Sequence, residues 1–137
     1  MSCIRPMTFA AAQKLPRAAA MISIIDDDES IREATRSLIR SLGYKVETFA
    51  SAEEYLESAR NTSCIITDVH MPGMTGVDLQ DRLIADGDCA PIIFMSAYPE
   101  EKVRGRVMES GAIGFLNKPL VFECLIECLG KALKGSR

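Results

Sequence analysis

Five short strand-like runs punctuate this chain, and each is followed by a stretch with helical periodicity. Met21–Ile25 is apolar throughout and stops abruptly at Asp26. Residues 44–49 alternate as a half-buried strand, and 64–67, 92–95 and 113–117 supply the remaining runs. Between them, Ile31, Ala34, Leu38 and Leu42 recur at helical spacing, and Gly43 stands where a helix ends in a left-handed residue. Ser51 to Glu54 form a capping-box pattern at the next helix start. Further helices are expected over 76–85 and 100–110, and in a last segment whose core face is Phe122, Leu125, Ile126, Leu129 and Leu133. Central strands that are apolar at every position belong to a parallel sheet covered on both faces. Strands alternating with helices give right-handed crossover units. The pattern therefore predicts one open, doubly wound α/β sandwich over residues 21–134.

Composition narrows the function classes. The first twenty residues contain Arg5, Lys14 and Arg17 and no acid, leaving thirteen basic against nineteen acidic residues in the remainder. That acidic remainder has no clustered Lys/Arg stripe to neutralise phosphates, which argues against nucleic acid as a direct partner. No window approaches the roughly 18 consecutive apolar residues of a membrane span. Gln13, Lys14, Pro16 and Arg17 interrupt any signal-like stretch, so residues 1–20 read as a disordered extension ahead of Met21. Five cysteines (Cys3, Cys64, Cys89, Cys124, Cys128) show no framework spacing and read as free thiols in a reducing compartment, placing the chain in the cytoplasm.

Ligands of open α/β sheets bind beyond the carboxyl ends of the strands. Here the first strand is followed by Asp26, Asp27, Asp28 and Glu29, the third by Asp68, the fourth by Ser96 and the fifth by Lys118-Pro119. Gathered on one edge, the carboxylates repel one another, and a hard divalent cation such as magnesium removes the conflict. A central carboxylate is then a competent nucleophile for phosphorus. Lys118 offers a point charge to phosphoryl oxygens, and Ser96 a hydroxyl donor. Asp28 and Glu29 read as a solvated helix start, because acids favour that end of the helix dipole. Asp26 and Asp27 taken alone fit that reading and the site equally well.

Four blocks together resemble the response-regulator receiver domain of two-component signalling: 24–27 (Ile-Ile-Asp-Asp), 68–76 (Asp-Val-His-Met-Pro-Gly-Met-Thr-Gly), Ser96-Ala97 and Lys118-Pro119. Residues 49–56 further resemble its FixJ-like branch. The resemblance implies a (βα)5 flavodoxin-like fold with strand order 2-1-3-4-5. It implies Asp68 as phosphoacceptor, with Mg2+ held by Asp27 and Asp68, by Asp26 through water and by the main-chain carbonyl of His70. Lys118 would contact the transferred phosphoryl group. Ser96 and Phe115 would act as switch residues, although a buried strand aromatic explains Phe115 as well. His70 and Tyr98 are similar in position to residues flanking the water that attacks the acyl phosphate, although a solvent-facing loop residue accounts for the His70 side chain too. Lys118-Pro119 is similar to the family's cis peptide bond. Pro72, Gly73 and Gly76 fit a tight loop in which glycine permits positive φ.

The expected function is thus a signalling switch, not an enzyme, phosphorylated by a sensor histidine kinase or phosphotransfer protein. Relatives often pair through the fourth and fifth helices with the fifth strand, and Val121, Cys124 and Cys128 are expected to form an apolar outer face for a homodimer or another partner. Two alternatives stay open at this stage. One is a receiver-like interaction module that works without phosphorylation. The other is the receiver fragment of a two-domain transcriptional regulator. A flavin-phosphate loop is disfavoured by the four acids after the first strand. A haloacid-dehalogenase-type Asp-x-Asp is nominally present at Asp26-Asp27-Asp28, but the other blocks fit it poorly.

Overall fold

Strands form where whole runs can be buried. In the computed structural model, which describes residues 20–59 and 61–134, β1 (Met21–Ile25), β3 (Cys64–Asp68) and β4 (Ile92–Ser96) are almost wholly inaccessible. The flanking β2 (Lys45–Phe49) and β5 (Gly114–Asn117) are half-buried, as edge strands should be. All pairings are parallel, and the order is β2-β1-β3-β4-β5. Five helices connect and cover them: α1 (Glu29–Ser41), α2 (Ala52–Leu56), α3 (Gly76–Ala85), α4 (Glu101–Glu109) and α5 (Phe122–Ala132). This is the doubly wound flavodoxin-like sandwich. Except for Ala20, the segment expected to be disordered lies outside the described residues, as does Cys3. Ala20 is buried, and its carbonyl accepts from the Lys45 N–H, so residue 20 is part of the fold.

Because side chains alternate along a strand, neighbouring residues feed opposite layers. Ile22, Ile24, Ile66, Ile93 and Met95 pack with α1 and α5, whereas Ile25, Ile65, Ile92 and Phe94 pack with α2, α3 and α4. Helix starts follow their caps. Asp28 accepts from the Ile31 N–H, and Ser51 from the Glu54 N–H. Glu54 reaches one residue further back than a capping box requires, taking the Ala50 N–H. The reciprocal box occurs instead on α3, between Thr75 and Asp78.

Two helical stripes differ from expectation. On α5, Phe122 and Ile126 are 43% and 38% exposed, while Cys128 and Ala132 turn inward beside Leu125, Leu129 and Leu133. A helix with this many apolar residues admits two registers, and the local space decides. A Cβ on Gly114 would crowd Cys128 Sγ, so the missing side chain makes room for the thiol. Cys128 therefore belongs to the core, not to an outer face; Cys124 and Val121 are exposed as expected. On α1, Ala34 is exposed and the buried positions are Thr35 and Ile39. Thr35 tolerates burial because its hydroxyl donates to the Ile31 carbonyl at 2.8 Å.

Glycines mark the turns for two separate reasons. Gly43 and Gly73 have φ of 98° and 77°, a region that other residues avoid. Gly76 is not among the positive-φ glycines; a Cβ there would overlap the carbonyl oxygen of Asp68, so close approach is what requires it.

Candidate functional site

The carboxyl ends of β1, β3, β4 and β5 converge, and the sequence-distant polar residues converge with them. Asp26, just past β1, is fully buried. Its Oδ2 accepts from Lys118 Nζ at 2.8 Å, and its Oδ1 accepts from the Asp28 N–H at 2.9 Å. Asp68, the last residue of β3, accepts from the same Nζ through Oδ2 at 3.1 Å. The His70 N–H donates to Asp68 Oδ1 over a long 3.4 Å. Asp27 is the exposed member of the group, and one carboxylate oxygen from each of Asp26, Asp27 and Asp68 lies within 4.8 Å of the others.

Lys118 reaches this point because the chain turns sharply after β5. The Lys118–Pro119 peptide is cis, and the Lys118 N–H donates to the Ser96 carbonyl at 2.9 Å. Ser96 is buried at the end of β4, and its hydroxyl accepts from the Tyr98 N–H at 3.1 Å. The His70 and Tyr98 side chains both face solvent, Tyr98 being 78% exposed. Phe115 lies beside Phe94 on β5, half-buried against the second core layer.

Charge in the site follows from burial. Desolvation raises the Asp68 carboxyl above its ordinary 3.8, and the bond and charge of Lys118 lower it only in part. Burial acts to lower Lys118, but its bonds to Asp26 and Asp68 outweigh that, leaving it above 10.5 and firmly cationic. One ammonium thus faces two buried carboxylates with a third at the rim. A cluster of hard oxygen donors with excess negative charge fits a magnesium ion, which takes carboxylate oxygens and retains waters. Asp26, Asp27 and Asp68 are the side chains that would hold it.

Three side chains escaped the sequence reading. Arg32, on α1, donates from Nη1 to the Asp26 carbonyl at 2.7 Å. Glu53, on α2, accepts from the Met74 N–H through Oε2 at 3.1 Å and sits against Gly73, holding the loop after β3. Gln80 on α3 is buried and donates from Nε2 to the Val107 carbonyl. Their partners lie 6, 21 and 27 residues away, beyond any local periodicity. For Arg32, the only available signal is a basic residue placed one turn beyond an acid run.

Ile31, Ala34, Leu38, Pro119 and Leu120 line a largely apolar groove of about 500 Å³ to which Lys118 also contributes. No helix among the described residues is long and apolar enough to cross a membrane. Among those residues, four cysteines (Cys64, Cys89, Cys124 and Cys128) are free thiols.

The profile of the response regulator receiver domain matches residues 22–129. Response regulator protein TodT of Pseudomonas putida is 39% identical over 118 residues, covering 85% of this chain and 52% of TodT. Transcriptional regulatory protein FixJ of Bradyrhizobium diazoefficiens is 31% identical over 115 residues, covering 82% of this chain and 56% of FixJ. The crystal structure of FixJ-N superposes with a TM-score of 0.78 at 27% identity, covering 86% of this chain and 96% of that one. The chain spans about half the length of the curated relatives it matches.

Proposed function

Because this chain belongs to the response-regulator receiver family, FixJ-like branch included, we propose that it accepts a phosphoryl group on Asp68 from a phosphohistidine donor, with Mg2+ alongside. The supporting observation is the shared ammonium: Lys118 Nζ bonds both Asp26 and Asp68 beside the three-carboxylate cluster. An Asp68 oxygen forms the new P–O bond while the donor's P–N bond breaks. The electron pair leaves with the imidazole nitrogen, which takes up a proton. Magnesium, when bound, neutralises charge on the phosphoryl oxygens during transfer. Lys118 then pairs with the acyl phosphate, and the Ser96 hydroxyl turns toward it. Asp26 stays anchored by Asp28, keeping the carboxylates in register for the next cycle.

The donor is a sensor histidine kinase or a phosphotransfer protein. It approaches across the apolar groove between α1 and the segment after β5. Phosphorylation shifts an existing equilibrium at the α4-β5-α5 surface, where Phe115, Val121 and Cys124 border a depression of about 480 Å³. A second copy of the chain is the proposed occupant of that surface. The role is that of a cytoplasmic switch and not of an enzyme with an external substrate. The half-length match to TodT and FixJ favours a further reading, in which this receiver governs a transcriptional output carried elsewhere in a longer protein.

Incubation with Mg2+ and acetyl phosphate tests the core of this. Intact-mass analysis should show one added phosphoryl group, absent in Asp68→Asn and after metal chelation. An unmodified wild-type mass, or a modified Asp68→Asn, would remove Asp68 from this role.

A further inference from the structure

Of the three carboxylates, Asp27 alone is exposed, so its position depends on its neighbours in the chain. The chain leaving β1 is fixed on both sides of it. Before it, the Asp26 N–H donates to the Phe49 carbonyl at 3.1 Å. After it, the Asp28 N–H is held by Asp26 Oδ1, and Asp28 in turn caps α1 through the Ile31 N–H. Within this turn the Asp28 carbonyl accepts from the Arg32 N–H at 2.9 Å, and the Asp26 carbonyl accepts from Arg32 Nη1 at 2.7 Å in a partly buried position. A guanidinium bond this short is charge-assisted and stronger than a neutral one. Arg32 is a residue of α1 itself, so the bond ties the β1–α1 turn to the body of the helix that follows it.

We propose that Arg32 is a positioning residue for the cation pocket, holding the 26–28 turn so that Asp27 faces Asp26 and Asp68. This rests on the Mg2+-dependent reading above. Two effects of Arg32 on a bound cation oppose each other. Its charge repels a divalent ion, whereas its hydrogen bond removes the freedom the turn would otherwise lose on binding. The charge is partly exposed and screened by solvent, while the bond is short and fixes the turn directly, so organisation outweighs repulsion. The two effects predict opposite signs when Arg32 is removed.

The test is a Mg2+ titration of the full chain followed by NMR or calorimetry, without any phosphodonor. Arg32→Met should weaken Mg2+ binding about tenfold, the scale seen when residues that orient metal ligands are lost. Arg32→Lys, which keeps the charge and a donor, should recover part of that loss. In metal-free protein, Arg32→Met should also speed amide exchange at Asp28 and Ile31 relative to β3, which separates a loosened turn from global unfolding. Unchanged or tighter Mg2+ binding by Arg32→Met overturns the inference and leaves the phosphoacceptor reading standing. Absence of Mg2+ binding by the wild-type chain overturns both.

Discussion

An ammonium 3.1 Å from a carboxylate ordinarily lowers that carboxyl's pKa, so the upward displacement of Asp68 needs a stronger opposing cause. Burial supplies it, assisted by the charge of Asp26. The folded state therefore holds a proton on Asp68 more tightly than the unfolded chain does. Ionised Asp68 opposes folding at every pH above its raised value, and this penalty fades as pH falls through that value towards 3.8. For Lys118 the sign is reversed: its raised pKa contributes stability that is present below 10.5 and lost as pH rises through the folded value. Ionised Asp68 thus costs stability, and the lysine offsets part of that cost. Asp68→Asn should accordingly raise the melting temperature at pH 7 in metal-free buffer. The gain should shrink as pH falls towards 3.8, where the wild-type carboxyl is also protonated. A lower melting temperature for Asp68→Asn at pH 7 would show that the Lys118 pairing dominates.

Among the elements, α4 is hydrogen-bonded to its neighbour α3 near its end, while its start packs only through the half-buried Val103. Its start, at Glu100, makes no side-chain cap bond, and Val107 is its one buried residue. Its end is tied to α3 twice: Gln80 Nε2 donates to the Val107 carbonyl at 3.0 Å, and Arg106 pairs with Asp81 at 2.6 Å. The Val107 carbonyl also accepts from the Ala112 N–H, so it keeps a partner if Gln80 is lost. Gln80 Oε1, in contrast, is buried without a partner among the described residues. Gln80→Leu removes one hydrogen bond worth about 0.5–1.5 kcal/mol and also one unsatisfied acceptor of similar cost. Global stability should therefore change by less than about 1 kcal/mol, while the last turn of α4, whose remaining polar tie to α3 is the Arg106–Asp81 pair, moves more easily. Hydrogen exchange should show the 106–110 amides losing protection while those of α3 keep theirs. Protection unchanged at 106–110 would show that the Arg106–Asp81 pair suffices. None of this was legible in the sequence, because a glutamine on an amphipathic helix carries no sign of a carbonyl 27 residues away.

At the scale of the whole molecule, what was legible depended on range. The strands could be read because parallel strands covered on both faces must be apolar throughout, and Ile65, Ile66, Ile93 and Phe94 obey that rule locally. The gathering of Asp26, Asp27, Asp68, Ser96 and Lys118 could be read because these residues sit at or just beyond strand ends, which the topology brings to one edge. The helical faces were harder. Phe122 and Ile126 look like core by spacing, but a small thiol opposite Gly114 took their place. Arg32 and Glu53 act through backbone groups whose position only the folded chain defines.

The two-layer arrangement carries one more consequence. Ile65 and Ile66 are adjacent in sequence and both fully buried, yet they face opposite sides of the sheet. Ile65 packs with Leu79 and Leu83 of α3, and Ile66 with Ile39 of α1 and Leu125 of α5. Replacing either by valine deletes one buried methyl group and should cost about 0.5–1.5 kcal/mol. Distant sites, more than about 7–10 Å apart and without shared partners, add to within about 0.5 kcal/mol, whereas residues in one cluster or linked by a backbone shift couple. Ile65 and Ile66 are adjacent, so the backbone is the one route by which they could couple. The sheet between these two side chains leaves them without common partners, so the double mutant's loss should equal the sum of the single losses. Urea denaturation with matching slopes for all four proteins would measure this within one cooperative transition. A coupling energy above about 1 kcal/mol would mean that the two layers repack together, and that strain on one face of β3 passes through it to the opposite face.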